Sequence, residues 1–181
     1  SLLRAFLVQV FWIPSASMRN TLIEHDRIAV SRVSQYTGDI RRGDVVVFDD
    51  TLGWLSKNDT ESSSPLRKIA EFTGILPAGG EQTLVKRVIG LGGDHVTCCT
   101  AEGKIEVNGV AISEPYLASS GPASSMTFDV TVPEGHLWVM GDNRTNSADS
   151  RYHMGNGQSP YVPESAVVGR AFAVIWPTNR L

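Results

Sequence analysis

The chain has 181 residues, 41% hydrophobic and 19% charged, which suffices for one well-buried core with a small appended unit. Sixteen lysines and arginines against nineteen acidic residues give a formal charge of −3 without any basic tract, which speaks against nucleic acid as the main partner. The two cysteines, Cys98 and Cys99, are adjacent and match no metal or C-x-x-C spacing, so they read either as free thiols or as a vicinal disulfide.

Leu2 to Trp12 is apolar apart from Arg4 and Gln9. It is too short to span a bilayer, which takes about 20 apolar residues, and reads as a first core strand or as the trimmed end of an anchor. Next comes Ile13-Pro14-Ser15-Ala16-Ser17-Met18, where the fixed φ of Pro14 predicts a defined turn that presents two serines. Arg27 to Ser34 alternates as a strand. Arg42-Gly43-Asp44 is read as turn chemistry rather than an adhesion tripeptide, leading into the buried strand Val45 to Phe48. Asp49 to Ser64 is a polar loop, and Ser64-Pro65 caps a short helix expected from Pro65 to about Thr73. After a Gly-rich loop from Pro77 to Glu81, Gln82 to Gly90 is a strong strand closed by Gly92-Gly93-Asp94. Lys104 to Val107 and Val110 to Ile112 flank Asn108-Gly109, a type I′ hairpin signal. Ser113 to Met126 is loop-like, and Thr127 to Val132 alternates again. His136 to Met140 runs as a strand into Gly141-Asp142-Asn143, and Ala166 to Trp176 closes the sheet.

Strand and turn signals dominate, so the expected fold is mostly β: an antiparallel β-sheet core with a β-hairpin excursion and one or two short helices. The expected division is a core of residues 1–97 and 133–181 with an inserted hairpin subdomain at 98–132.

A serine becomes a nucleophile only with a base within hydrogen-bond reach. His25, His95, His136 and His153 are available, but no motif marks any of them, and the G-x-S-x-G elbow and the H-E-x-x-H spacing are absent. No cofactor or metal is implied. Lys86, in Leu84-Val85-Lys86-Arg87-Val88-Ile89, shares a strand face with Leu84 and Val88, and burial there would disfavour its charge. The strand by itself also permits Lys86 to be half of an exposed basic pair. A third stretch, Gly141 to Arg151, is rich in short polar residues; Asp149 and Arg151 are placed for a local ion pair, and Ser147 for a hydrogen bond to an amine.

Taken in order, IPSASM, RRGDVVVF, VKRVIGLGGDHV and GDNRTNSADSR closely resemble the four extracytoplasmic sequence boxes of the bacterial type I signal peptidases. The match spans most of Phe11 to Arg151, and VVGRAFAVIWP is similar to that family's last strand. The resemblance implies a membrane-associated Ser/Lys dyad endopeptidase that removes signal peptides from exported preproteins, with its catalytic domain on the outer side of the cytoplasmic membrane. Ser17 would be the nucleophile and Lys86 the general base. Ser15 and the Ser17 backbone N–H would form the oxyanion hole, Ser147 would orient the lysine, and Asp149 and Arg151 would brace the loop. Phe11, Ile13, Met18, Leu22, Leu84 and Val85 would line shallow substrate pockets suited to A-x-A cleavage sites. The partners implied are signal peptides and the membrane surface, and a membrane-embedded substrate moves the reading of Leu2 to Trp12 toward a trimmed anchor.

One departure stands out: the family commonly has M-x-P-T-L after the serine, and this chain has Met18-Arg19-Asn20-Thr21-Leu22. Two other readings are weighed. A self-cleaving repressor-type Ser/Lys protease shares the S-M and lysine strand, but the Gly141 to Arg151 loop and the lack of a DNA-binding segment oppose it. A non-catalytic peptide-binding module would keep the fold, yet every reacting residue is present. Asn58-Asp59-Thr60 and Asn143-Arg144-Thr145 are formal glycosylation sequons, the second inside the expected catalytic loop.

Overall fold

The computed structural model describes residues 8–13, 15–19, 21–31, 40–54, 83–118, 120–155 and 159–176. Among them, the strands in chain order are β1 (Val8–Trp12), β2 (Arg27–Ser31), β3 (Val45–Asp49), β4 (Thr83–Leu91), β5 (His95–Cys98), β6 (Ile105–Val107), β7 (Val110–Ala111), β8 (Phe128–Thr131), β9 (His136–Met140), β10 (Val162–Pro163) and β11 (Val167–Trp176). Helical structure in the described residues is confined to two short 3-10 turns, Ser150–His153 and Glu164–Ala166. The expected mostly-β architecture is what the chain adopts. No helix among the described residues is long and apolar enough to cross a membrane.

Seven strands form one sheet in the order β1-β2-β11-β3-β4-β9-β10, and β7-β6-β5-β8 form a second, all with antiparallel pairing. The continuous apolar run of β3 fits because both of its faces are covered. Val46 and Phe48 enter one cluster with Val88, Leu137, Val139 and Val167, and Val47 enters another with Phe11, Met18, Ile28 and Val30. A third cluster joins the sheets: Ile89, Trp138 and Met140 from the large one pack with Val96, Ile105 and Phe128 from the small one. Burying each such side chain contributes roughly 1.5–3 kcal/mol.

Turns sit where the residues require them. Asn108 and Gly109 both have positive φ, 53° and 81°, the signature of the type I′ hairpin that connects β6 and β7. Asp94 closes the corner between β4 and β5: its carboxylate accepts from Leu91 N at 2.8 Å, Asn108 Nδ2 at 3.0 Å and Arg42 Nε at 2.6 Å. The Arg42 hydrogen bond is the main reason its carboxyl is held down to about 2. Arg42-Gly43-Asp44 is thus structural, with Gly43 at φ 90° in the turn before β3.

Two short strands go beyond the sequence reading, His95–Cys98 and Val162–Pro163, and Val8–Trp12 is a strand at the sheet edge, paired with β2. Cys98 and Cys99 are joined as a disulfide between neighbours. The expected helix Pro65 to Thr73, the loop Pro77 to Glu81 and the Asn58 sequon lie outside the described residues.

Candidate active site

The serine turn is closed by Arg19 N donating to Ala16 O at 3.0 Å and Leu22 N to Met18 O at 2.8 Å, and its base is tied by Ile13 N to Asp26 O at 2.9 Å. Met18 and Leu22 point into the core with Phe11 and Ile13, which anchors the turn and leaves Ser17 at the rim of the cluster. Pro14 and Asn20 lie outside the described residues. The Ser17 backbone N–H has no hydrogen-bond partner among the described residues and is free to serve a substrate oxygen.

Lys86 comes from the middle of β4, directly across from Val46 of β3, and Val46, Val88 and Leu84 all belong to one apolar cluster. The residue is 4% exposed, and its Nζ donates to Ser17 Oγ at 2.6 Å across 69 residues of sequence. Burial lowers its pKa to about 8, against the pull of Asp149; Arg151 adds to the lowering and Asp142 opposes it. Ser15 Oγ lies 3.2 Å from Ser17 Oγ. The two serines and the lysine named from sequence therefore converge. No histidine bonds to Ser17 among the described residues: His95 pairs with Asp129 at 2.5 Å, and the His153 ring stacks on Trp54 with centroids 4.5 Å apart.

The loop after β9 docks on the serine turn. Asn143 N donates to Ser17 O at 2.9 Å, and Asn143 Nδ2 to Ala16 O at 3.0 Å, so a glycan on that nitrogen would sit directly against the serine turn. Asp149 and Arg151 are fully buried and pair as expected, Arg151 Nε and Nη2 each lying 2.8 Å from a carboxylate oxygen. Asp149 Oδ2 also accepts from Gly141 N at 3.0 Å, and Arg151 Nη2 donates to Arg144 O at 3.1 Å, which ties both ends of the loop together. The expected hydrogen bond from Ser147 to the lysine is not made here; the Ser147 Oγ is buried with no partner among the described residues.

The proposed pocket residues divide. Phe11, Ile13, Met18 and Leu22 are buried in one cluster and Val85 packs against it, whereas Leu84 packs on the other side of β4 with Val46 and Val88. On its β9 side, β4 is paired only from Arg87 to Leu91 among the described residues, so Thr83 to Lys86 present an unpaired backbone edge beside the serine turn.

Several residues at the site escaped the sequence reading. Arg87 Nε and Nη2 grip Asp142 at 2.8 and 2.7 Å, and Asp142 also accepts the Thr21 hydroxyl from the serine turn. The alternation of β4 was the available signal: it places Arg87 on the face opposite Lys86, so the two cannot share one role. By sequence Gly141 is only a turn residue after β9. A Cβ there would lie 2.5 Å from Ser17 O and 2.2 Å from Ser147 Oγ, so only glycine lets the loop approach the nucleophile's backbone. Gly141→Ala is expected to cost about 1–3 kcal/mol of stability and to lower kcat at least about tenfold in the folded protein, because the backbone it strikes carries Ser17. Gly169→Ala, which strikes Ser31 O at 2.4 Å away from the site, is the control that destabilises without changing kcat. Equal kcat losses in the two variants would reject a special role for the Gly141 approach.

The chain is similar to several known proteins. The family model for signal peptidase, peptidase S26, matches residues 1–176. A probable signal peptidase I of Mycobacterium leprae is 37% identical over 97% of this chain and 71% of its own length. A probable signal peptidase I-2 of Synechocystis is 33% identical over 99% and 68%. A crystal structure of a signal peptidase I from Enterococcus faecalis V583 aligns over 73% of this chain and 96% of that one, with 27% identity and a TM-score of 0.47.

Proposed function

Because this chain belongs to the signal peptidases of the peptidase S26 family, we propose that it is a Ser/Lys endopeptidase that cleaves signal peptides from preproteins, with Ser17 as nucleophile and Lys86 as general base. One observation carries the assignment: the Lys86 amine lies 2.6 Å from Ser17 Oγ in surroundings that lower its pKa to about 8.

When neutral, the amine accepts the Ser17 proton as Oγ bonds to the scissile carbonyl carbon. The carbonyl oxygen, now an oxyanion, takes hydrogen bonds from the Ser17 N–H and the Ser15 hydroxyl. Lys86 then returns its proton to the departing amine, leaving an acyl-enzyme ester at Ser17. A water that gives its proton to Lys86 attacks this ester, and the second collapse restores both residues. Asp149 and Arg151 brace the loop against the serine turn, and the unpartnered Ser147 hydroxyl is assigned to the lysine amine as it turns between Ser17 and the leaving group.

The backbone edge Thr83 to Lys86 suits an extended substrate segment laid beside β4. Phe11, Ile13, Met18 and Leu22, buried in one cluster with Val85 against it, are assigned as the floor under that segment, with Leu84 on the other face of β4. Such a floor leaves room for small side chains, which favours A-x-A sites. The substrate class places the work at a membrane, with the catalytic domain on the outer face of the cytoplasmic membrane, and residues 98–132 are assigned as an inserted subdomain rather than part of the catalytic core.

The test is the pH dependence of kcat/KM on a signal-peptide substrate, which reports the free enzyme's essential base. Lys86 works only when neutral, so activity rises with pH, and the limb is expected near 8. A histidine base would place it near 6.5 and an exposed lysine near 10.4, both approximate reference values. The limb should survive replacement of all four histidines. A limb near 6.5 that disappears with one histidine would remove Lys86 from the mechanism.

A further inference from the structure

Arg144 and Arg87 flank the loop that touches Ser17, and both are met by one short segment leaving the small sheet. Arg144 is buried; its Nε donates to Gly141 O at 2.7 Å and its Nη1 to Ala123 O at 3.0 Å. Its guanidinium also pairs with the Glu114 carboxylate, which is equally out of solvent. Two residues on, the Tyr116 hydroxyl donates to Glu114 Oε2 at 2.9 Å while its ring lies 3.8 Å under the Arg87 Cζ. Arg87 in turn holds Asp142, and Ala118 N donates to Asp142 O at 3.2 Å. None of these contacts reaches Ser17 or Lys86. They converge instead on Gly141 to Asn143, the stretch whose backbone and side chain hold Ala16 and Ser17.

We infer that Glu114 and Tyr116 are positioning residues for the Ser17–Lys86 pair: they clamp Arg144 and Arg87, and through them set how the loop Gly141–Asn143 seats the nucleophile. This inference rests on the dyad reading above. The physical reason is geometric. A guanidinium stacked on an aromatic face keeps its plane and its direction, and the plane of Arg87 decides where its paired donors place Asp142. Since Asp142 also takes the Thr21 hydroxyl, a tilt of Arg87 moves the serine turn and the loop together. Displacement of a reacting group by about 1 Å can lower turnover on the order of 100-fold. In the reading above the substrate lies along Thr83 to Lys86, short of Arg87 and its Tyr116 partner, so the effect is expected in kcat.

The experiment measures kcat and KM on a signal-peptide substrate for Tyr116→Ala, Tyr116→Leu and Tyr116→Phe, with the folded fraction of each determined by denaturation. Tyr116→Ala and Tyr116→Leu are expected to lose about 10- to 100-fold in kcat per folded molecule, with KM within about twofold. Tyr116→Phe, which keeps the ring under Arg87, is expected to recover kcat to within about threefold. Tyr116→Leu fills most of the same volume, so a loss there follows the aromatic face and not a cavity. Unchanged kcat in the leucine variant would overturn the inference, and so would a raised KM with kcat intact, which would make Tyr116 a substrate contact. Ser17→Ala and Lys86→Ala are assayed beside them. If these are inactive while the Tyr116 series is normal, the clamp fails and the dyad stands; if Lys86→Ala is active, the dyad itself fails.

Discussion

Replacing Lys86 with methionine is expected to abolish cleavage of a signal-peptide substrate and, at neutral pH, to make the fold more stable. Methionine has nearly the length of lysine and no basic nitrogen, so it fills the site among Val46, Leu84 and Val88 without accepting the Ser17 proton. The stability gain follows from linkage. The amine titrates near 8 in the folded chain against 10.5 without the fold, chiefly because burial opposes its charge. Between those values the unfolded chain binds more protons, so the stability of the native protein rises with pH across that window. Below pH 8 both states are charged and the whole penalty is present, about 3 kcal/mol at 1.36 kcal/mol per pKa unit. Above about 10.5 the penalty is gone. Denaturant unfolding at pH 7 and at pH 10 checks both halves: the methionine variant should exceed the wild type clearly at the lower pH and by much less at the higher. Wild-type cleavage by the variant would sink the base assignment, and an equal stability difference at both pH values would sink the account of the lysine's burial.

Ser15→Ala is expected to lower kcat by roughly 100- to 1000-fold, equivalent to about 2.7–4 kcal/mol of lost transition-state stabilisation, with KM within about twofold. In the resting site the Ser15 hydroxyl lies 3.2 Å from Ser17 Oγ. Once Ser17 Oγ has lost its proton and bonded to the carbonyl carbon, the Ser15 hydroxyl is expected to turn to the oxyanion beside the Ser17 N–H, which no other group in the described residues occupies. Because Ser15 is exposed, its removal should change stability by less than about 0.5 kcal/mol. That separates a catalytic loss from a folding one. A raised KM with an unchanged kcat would make Ser15 a binding residue instead.

Much of the site was legible because its chemistry lies in short stretches whose local geometry is self-contained. The serine turn, the alternation of β4 and the Asp149–Arg151 pair each span a few residues, and each was read from spacing alone. The contacts that escaped notice are long-range. Arg87 reaches Asp142 across 55 residues, Asn143 reaches Ala16 across 127, and Tyr116 comes under Arg87 from the other sheet's exit segment. No periodicity encodes such meetings. The short strands β5 and β10 escape for a related reason, since His95-Val96-Thr97-Cys98 lacks a continuous apolar run, Val162-Pro163 has only two residues, and each is a strand because a neighbour pairs with it.

By itself, then, the order of residues determined the antiparallel β character of this chain and the type I′ turn at Asn108-Gly109, which rest on backbone preferences and on side-chain alternation acting within a few residues. The serine pair and the lysine were singled out as candidates by the resemblance of their sequence boxes to those of a known family. Whether Lys86 is a solvated cation or a base was left open by its strand, because the same alternation serves an exposed basic pair equally well. The tertiary structure shows that Lys86 is buried and not solvated. Pairing with β3 sets Val46 opposite Lys86, the clusters close over both, and the loop after β9 brings Gly141 and Asn143 against the Ser17 backbone. Loss of hydration, which no local pattern can supply, is what brings an ordinary lysine to a pKa of about 8 within 2.6 Å of a serine hydroxyl.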